Sequence, residues 1–330
     1  MIVVQELWLA ILLCMVTMLG WGSWANTQKL AGKDHWPFEL YYWDYALGVL
    51  LCGIVAAFTA GSSGGHLQPV LPNLAQAESG AMWIAFSSGA LFNIANILLV
   101  VAIDRAGMAV AFPVGVGLAL VIGTIVSYAQ APKGSAGVLA AGVALIVLAM
   151  VASSIAYRRL PRKSSGAGTG LVYAVLAGIT MGYFYPQLMK SITPDFTAGQ
   201  LVPGMLTPYA ALLVFGVGLA ASNVVLNTIF MRAGKVTYRE YFGGSARLHS
   251  LGILGGAIWM TALICNVLAS GVAGPAISYA LGQGATLVAS LWGVFVWREF
   301  SAAPAGTSKW VAIMLAGYVA GLMLIGLATL

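Results

Sequence analysis

The feature that most constrains this chain is a series of apolar segments, each about 20 residues long, joined by short polar connections. An α-helix of that length crosses the roughly 30 Å hydrocarbon core of a bilayer. Charged residues make up 7% of the 330 residues, whereas a soluble domain carries roughly 25%. Because so few charges cannot cover a water-facing surface, the sequence predicts an all-α membrane protein in contact with membrane lipids.

The apolar segments predict ten transmembrane helices in two sets of five. Residues 1–157 form the first set, residues 169–330 form the second, and residues 158–168 form a basic linker between them. The predicted spans are residues 6–26, 40–61, 81–103, 107–129, 136–157, 169–189, 207–230, 250–270, 273–297 and 308–329.

Lysine and arginine are unevenly divided between the two sides of these spans. One side holds Lys133 and Lys190, and the other holds Lys29, Lys33, Arg105, Arg158, Arg159, Arg162, Lys163, Arg232, Lys235, Arg239, Arg247, Arg298 and Lys309. Since cytoplasmic loops are enriched in basic residues, we expect both termini to be extracytoplasmic. The same bias accounts for the net charge of +6, so nucleic acid is not an expected partner.

The two halves share a sequence register. A shift of 167 residues places residues 106–109 on residues 273–276, and in the third and eighth spans it places Gly89 on Gly256. A half with five spans is inserted upside down relative to its copy, and inverted repeats are a hallmark of secondary transporters. The alternative is an old duplication in a membrane protein that transports nothing.

Short motifs along nearly the whole chain resemble the drug/metabolite transporter superfamily. The closest similarity is to its glucose/ribose porter, rhamnose–proton symporter and ureide permease group. The matching residues are Gly20-Trp21-Gly22-Ser23, Tyr42-Trp43-Asp44-Tyr45, Gly274-Pro275-Ala276, Gly282-Gln283-Gly284, and Leu291-Trp292-Gly293-Val294-Phe295 with Glu299. The resemblance implies a 5+5 helical fold, a central cavity, and uptake of sugars or of ureides and nucleobases, coupled to protons in some relatives.

Polar side chains inside the spans are the candidate solute-binding groups. In the ninth span, Tyr279, Gln283, Thr286 and Ser290 follow the spacing of a single helical face. An amide and three hydroxyls on such a face can bind a neutral polar solute. The alternative is that they hydrogen bond to neighbouring helices.

Two asparagine pairs and three aromatic residues complete the predicted binding groups. Asn93 and Asn96 share a face of the third span, and Asn223 and Asn227 share a face of the seventh. Asparagine is costly in hydrocarbon, so these amides contact either a solute or another helix. The aromatic candidates are Trp21, Tyr183 and Trp259; an interfacial aromatic belt is the alternative for residues near the span ends.

Asp44 is the acidic residue that lies inside a span, about 6 Å from its predicted cytoplasmic end. A carboxylate there is a candidate for carrying a coupling proton. The alternative is a helix-start residue at the headgroup level among neighbouring aromatic rings. The histidines, His35, His66 and His249, are expected to be solvated loop residues.

These features predict a secondary-active transporter of a bacterial-type inner membrane that imports a small neutral polar solute, a monosaccharide first, with a coupling proton. The alternatives are a ureide or nucleobase permease, an exporter of the same superfamily, and a receptor that binds without transport. Enzymatic motifs such as Gly-x-Ser-x-Gly and His-Glu-x-x-His are absent, as are cofactor and metal-ligand patterns, so an enzyme is not expected.

Overall fold

The structure is a computed structural model that describes residues 1–65, 67–106, 111–160 and 167–329. Within these ranges the chain forms helices and no β-strand beyond one isolated bridge between Ile192 and Leu206. Nine helices of the described part are long and apolar enough to cross a membrane, and a shorter apolar helix covers Val114–Gln130. The predicted all-α class with several membrane-spanning helices is confirmed.

The helices follow one another through the described residues, and a 3₁₀ turn, Phe196–Ala198, lies in the longer connection between residues 191 and 208. They are α1 (Leu7–Ser23), α2 (Ala25–Lys33), α3 (Phe38–Phe58), α4 (Val70–Gln76), α5 (Ser79–Ala106), α6 (Gly117–Gln130), α7 (Ala136–Arg158), α8 (Ala167–Ser191), α9 (Pro208–Ala233), α10 (Tyr238–Phe242), α11 (Ala246–Ala273), α12 (Pro275–Gly282), α13 (Ala285–Leu291) and α14 (Thr307–Leu327). A π-helical turn, Phe112–Val116, precedes α6, and another, Trp292–Val296, follows α13. His66, residues 107–109, Arg162 and Lys163 lie outside the described residues.

The ninth predicted span is not one continuous helix. It begins at Pro275, after Gly274 with a φ of +86°, and it is interrupted between α12 and α13 at Gln283 and Gly284. There the backbone N–H groups of Gly284 and Thr286 donate to carbonyl groups three residues back, at Leu281 and Gln283. Glycine on both sides of Gln283 lowers the helical propensity of this segment. The predicted polar face of this span therefore crosses a short turn whose residues keep right-handed helical dihedrals, and the single face stays a prediction.

The chain divides into two compact units, each built from two stretches of sequence. The first unit contains Met1–Asn93 and Gln187–Val272, and the second contains Ile94–Pro186 and Ala273–Leu330. Each unit draws on both predicted five-helix sets. The two compact units therefore divide the chain differently from the predicted five-helix halves and their linker at residues 158–168. The division into halves stays a prediction.

Glycines in the first unit bring α3 and α11 into backbone contact. A Cβ on Gly48 would lie 2.1 Å from the carbonyl oxygen of Ile253, and a Cβ on Gly256 would lie 2.0 Å from that of Tyr45. Any larger side chain at either glycine would force the helices apart. Small residues at helix crossings are the usual means of close packing between membrane helices.

A second crossing in the same unit, between α5 and α9, has the same geometry. A Cβ on Gly218 would lie 2.0 Å from the carbonyl oxygen of Phe86, and a Cβ on Gly89 would lie 2.0 Å from that of Phe215. When the two crossings are matched residue by residue, each residue of α5 is equivalent to the residue of α11 that follows it by 167 positions. Each residue of α3 is equivalent to the residue of α9 that follows it by 170 positions. The corresponding pairs are Gly89 and Gly256, Phe86 and Ile253, Gly48 and Gly218, and Tyr45 and Phe215.

The second unit has a glycine crossing of its own between α7 and α14. Gly142 packs against Ile325, and Gly321 packs against Ile146 in the same manner. Around this crossing lies an apolar core that includes Leu139, Met150, Ile277, Met314 and Tyr318. Also in this unit, α6 packs along α12, where Gly123 leaves room for the ring of Tyr279.

Candidate functional site

A polar cluster in the first unit joins Asp44 to two side chains from distant parts of the sequence. The Tyr241 hydroxyl donates a 2.7 Å hydrogen bond to Oδ1 of Asp44. Nδ1 of His249 lies 2.9 Å from Oδ2 of the same carboxylate. The Asp44 side chain is 2% exposed and that of His249 is 26% exposed. We refer to Asp44, Tyr241 and His249 as the Asp44 cluster.

Three helices position the Asp44 cluster. Asp44 lies in the second turn of α3, and Gly252 of α11 provides the space for its Cβ. His249 belongs to the first turn of α11, and Tyr241 belongs to the short helix α10. The sequence-based prediction that His249 is a solvated loop residue is wrong, because its ring is held against the carboxylate of Asp44.

A capping box at its N-terminus supports α10. The backbone N–H and the hydroxyl of Thr237 donate to Oε2 of Glu240, and the Glu240 backbone N–H donates to the Thr237 hydroxyl. The hydrogen bond from the Thr237 backbone lowers the pKa of Glu240 below its ordinary value of 4.5. The cap is therefore ionised, and intact, at neutral pH.

Tyr241 is a hydrogen-bond donor because its hydroxyl stays protonated. Burial first, and the bond to the Asp44 carboxylate second, raise the pKa of Tyr241 well above its ordinary value of 10. Two aromatic rings contact the imidazole of His249 edge to face: Tyr241 at 4.9 Å and Trp36 at 5.7 Å between ring centroids. Gly244 lies beside the ring, since a Cβ there would be 2.8 Å from Nε2 of His249.

An apolar cavity occupies the corresponding place at the other pair of crossing helices. Its volume is about 480 Å³, and it is lined by Leu74, Ser79, Met82, Trp83, Phe86, Leu213, Val214 and Val217. With the offsets of the two glycine crossings, Val214 corresponds to Asp44, Met82 to His249, and Leu74 to Tyr241. Two similar helix crossings thus carry a hydrogen-bonded polar cluster in one case and an open apolar cavity in the other.

Four stacked rings form an aromatic cluster in the first unit. Trp259 packs on Phe92 at 4.1 Å, and on Trp21 and Phe215 at 6.0 Å each, measured between ring centroids. Trp259, Phe92 and Phe215 are buried, and Trp21 is half-buried. Among the described residues, the buried indole Nε1 of Trp21 has no hydrogen-bond partner. This cluster brings together two of the predicted aromatic residues, Trp21 and Trp259.

Three of the four predicted asparagines lie in the first unit. Nδ2 of Asn93 donates to the hydroxyl of Ser222 at 2.9 Å, and Nδ2 of Asn227 donates to the carbonyl oxygen of Glu39 at 2.8 Å. Asn223, beside Ser222, is fully buried, and within the described part of the chain neither of its amide atoms has a partner. The fourth, Asn96, is buried in the second unit.

The remaining predicted residues belong to the second unit. Tyr279 is fully buried and stacks on Tyr185 at 5.0 Å, whereas Tyr183 is exposed. The Thr286 and Ser290 hydroxyls donate to backbone carbonyls of their own segment, and Gln283 is buried at the helix interruption. Thr286 and Ser290 also line a small cavity of about 50 Å³ with Met150, Ser153, Tyr157, Ala289 and Tyr318.

Several residues of these groups were missed from the sequence. Tyr241 lies in a loop-like segment whose clearest features are basic, and Ser222 is one hydroxyl among many apolar neighbours. Phe92 and Phe215 resemble any other phenylalanine of a membrane span. The one available signal was the 167-residue register, which aligns Tyr241 and His249 with apolar residues and so marks both as exceptions.

Comparison with known proteins gives the fold and no function. No protein-family model matches the chain, and no curated protein matches it. A solved structure described as "Crystal structure of protein" aligns with 96% of this chain and 95% of its own chain, with a TM-score of 0.64 at 18% sequence identity. At that identity the likeness extends to the fold alone. The several long apolar helices of the described part fit a membrane transporter in general terms.

Proposed function

We propose that this chain is a secondary-active transporter that imports a small neutral polar solute, a monosaccharide first, by alternating access. Its ten spans form a 5+5 inverted repeat in a bacterial-type inner membrane, with both termini extracytoplasmic. The observation that carries this proposal is the equivalence of the two glycine crossings in the first unit. Two structurally equivalent halves can exchange inward-open and outward-open shapes, which is the basis of transport by inverted repeats.

Helix pairing in each unit also supports a repeat. In the first unit α3 packs along α9, and these helices are the second and seventh predicted spans. In the second unit α7 packs along α14 and α6 along α12, which pairs the fifth span with the tenth and the fourth with the ninth. Each span of these pairs therefore lies against its counterpart five spans later.

The chemistry of the solute follows from the polar atoms of the first unit. Asn223 offers a donor and an acceptor, the indole of Trp21 offers a donor, and none of these groups is charged. Buried polar atoms without partners cost about 1–3 kcal/mol each, and a solute hydroxyl or amide can remove that cost. These neutral groups suit a monosaccharide and lack the positive charge that binds an anion.

A ureide or nucleobase is the second candidate solute. The observation that favours it is the aromatic cluster, in which Trp259 lies 4.1 Å from Phe92 with the ring planes at 27°. A planar, polar solute can extend such a stack and hydrogen bond at its edge. The alternative direction of transport is export of a metabolite or drug.

Asp44 is the proposed carrier of the coupling proton. It lies within α3, its side chain is 2% exposed, and both of its oxygens have partners that can respond to a bound proton. Ionisable residues inside membrane spans commonly mark proton pathways.

Counterflow in proteoliposomes tests the proposal. Vesicles are preloaded with unlabelled monosaccharides, ureides or nucleobases, and entry of the labelled compound is followed with and without an acidic exterior. We expect exchange of one monosaccharide, faster with an acidic exterior, and exchange independent of the gradient in Asp44→Asn. Folded protein that exchanges none of the compounds would refute solute import and favour export or a receptor.

A further inference from the structure

We propose that Asp44 and His249 hold one proton between them, and that this proton controls the docking of α10 through Tyr241. The proposal rests on the proposed transport function and assigns two further residues to its proton site. The contact between His249 and Asp44 and the contact between Tyr241 and Asp44 use different oxygens of one carboxylate, so all three side chains form a single unit.

The first step of the argument is proton access. The His249 side chain is 26% exposed, whereas that of Asp44 is 2% exposed. Imidazole is the side chain that ordinarily gains and loses a proton near neutral pH. A proton can therefore reach Asp44 by way of His249, whose Nδ1 lies 2.9 Å from the carboxylate.

The second step links the proton to α10. Without the proton, the pair of an aspartate and a neutral histidine carries one negative charge, and the Tyr241 hydroxyl donates to a charged acceptor. A proton bound by the pair removes this net charge, and with the proton on Asp44 the Tyr241 hydroxyl donates to a neutral carboxyl group. Hydrogen bonds to charged groups contribute about 1.5–3 kcal/mol, against about 0.5–1.5 kcal/mol for neutral partners. Proton binding therefore weakens the bond that ties α10 to α3.

Other ionisable groups around the carboxylate have partners of their own. On α3, the Tyr41 hydroxyl is 2.7 Å from the hydroxyl of Thr27. On α11, Arg247 forms an ion pair with Asp34 at the exposed edge of the cluster. On α10, Glu240 is bound to Thr237, and its lowered pKa keeps the capping box ionised well below neutral pH. A change in α10 between neutral and mildly acidic pH therefore points to the Asp44 cluster.

The apolar counterpart of the cluster provides an internal comparison. In the Asp44 cluster, Tyr241 of α10 is hydrogen bonded to Asp44. At the counterpart, Leu74 of α4 lines an apolar cavity together with Val214 and Met82. Other residues attach α4: its Asn73 side chain accepts from the Thr207 backbone N–H at 2.8 Å. Its attachment depends on neutral amides, and no proton is expected to change it.

Hydrogen–deuterium exchange of the full-length protein in lipid nanodiscs tests the proposal. Exchange of α10 and α4 amides is measured at about pH 8 and about pH 5.5, and is corrected for intrinsic rates. We expect protection of α10 in the wild type to fall several-fold at the lower pH, while protection of α4 is unchanged. Tyr241→Phe should reduce protection of α10 about tenfold at the higher pH, because the charge-assisted bond is lost.

Three further variants separate the roles. Asp44→Asn should give low protection of α10 at both pH values. His249→Asn keeps an N–H donor near Asp44 but takes up no proton, so the pH response should disappear. Tyr238→Phe is the matched control. Tyr238 belongs to the same short helix, but its hydroxyl contacts Thr228 and not Asp44, so this variant should retain the wild-type pH response.

Two results would overturn the proposal. Protection of α10 that is the same at both pH values in the wild type refutes control by a proton. An unchanged response in His249→Asn refutes the shared site. Counterflow distinguishes these failures from failure of the transport proposal. If solute is exchanged but protection of α10 does not depend on pH, the proton-site proposal alone is refuted. If protection of α10 depends on pH but no solute is exchanged, the transport proposal alone is refuted.

Discussion

Asn223 and Asn227 lie one turn apart on α9, yet their amides have different surroundings. Nδ2 of Asn227 donates a 2.8 Å hydrogen bond to the carbonyl oxygen of Glu39, which ties α9 to α3, while its buried Oδ1 has no partner among the described residues. Neither amide atom of Asn223 has a partner among the residues that the structure describes, although the side chain is fully buried. The first arrangement is what packing between helices requires, and the second is what a binding site for a polar solute requires.

Replacing Asn223 with leucine should therefore stabilise the protein and abolish transport. Removal of a buried amide without partners is expected to raise the free energy of unfolding by about 1–3 kcal/mol. The same change removes the proposed solute contacts, so counterflow should fall to background. Unfolding in detergent and counterflow in proteoliposomes measure the two effects.

Asn227→Leu is the matched control on the same helix face. It loses the hydrogen bond to Glu39, so its free energy of unfolding should lie about 1–3 kcal/mol below that of Asn223→Leu. Equal stabilities, or full counterflow in Asn223→Leu, would contradict the assignment of Asn223 to the solute site.

Alanine at Gly89 or Gly218 should destabilise the first unit. The new Cβ would lie 2.0 Å from a carbonyl oxygen of the facing helix, so α5 and α9 must separate. Overpacking of this kind costs about 1–3 kcal/mol, which thermal unfolding in detergent can measure. Gly80→Ala is the control on α5, because nothing lies within 4 Å of its Cβ position. A wild-type unfolding temperature in Gly89→Ala would show that the helices are not in backbone contact.

Trp21→Phe separates the two uses of the indole. Phenylalanine keeps a ring that packs on Trp259, but it lacks the Nε1–H donor, which has no partner within the described ranges. If the donor stabilises the bound solute and the transition state of transport by the same amount, its loss should raise the KM for exchange about tenfold and leave the maximal rate unchanged. Trp83→Phe, at a largely exposed tryptophan, should leave both constants unchanged. An unchanged KM in Trp21→Phe would remove this residue from the solute site.

Glu240→Ala should weaken α10 in a pH-dependent manner. The pKa of Glu240 is lowered by its bond to the Thr237 backbone, so the stability that the cap contributes is present above the ordinary value of 4.5. That contribution is lost as the pH falls through the lowered pKa. Protection of α10 amides from hydrogen exchange should differ between wild type and variant at about pH 7 and converge near about pH 3. A difference that persists in acid would show that Glu240 supports α10 by something other than the charge of its carboxylate.

Much of the helical architecture could be read from the sequence because hydrocarbon imposes a simple rule. A segment that crosses it must be apolar, helical and about 20 residues long. The rule gave the long membrane-spanning helices to within several residues and singled out Asp44 as an exception, but it did not give the short helices α2, α4 and α10. It missed the interruption at Gln283 and Gly284, because a short break in backbone hydrogen bonding leaves the hydropathy of the segment unchanged.

The sites were less predictable, because they depend on which helix faces are brought together. Trp21 and Trp259 were chosen separately as aromatic candidates, and they meet in one cluster. Tyr279 and Thr286 were chosen as one stripe, and the short turn at Gln283 and Gly284 lies between them. His249 was assigned to a solvated loop, because a histidine near a charged connection looks the same whether or not a carboxylate faces it.

By itself the sequence determined that this chain forms apolar helices of membrane-spanning length, since composition and periodicity act locally along the chain. Tertiary structure alone decided that Tyr241 and His249 meet Asp44, which lies about two hundred residues before them, and that Asn223 is buried without a partner in the described part of the chain. Such contacts depend on the close approach of helices at glycines such as Gly48 and Gly256, where the backbone of the facing helix sets the distance between the two helices. The sequence around a glycine does not show which backbone faces it.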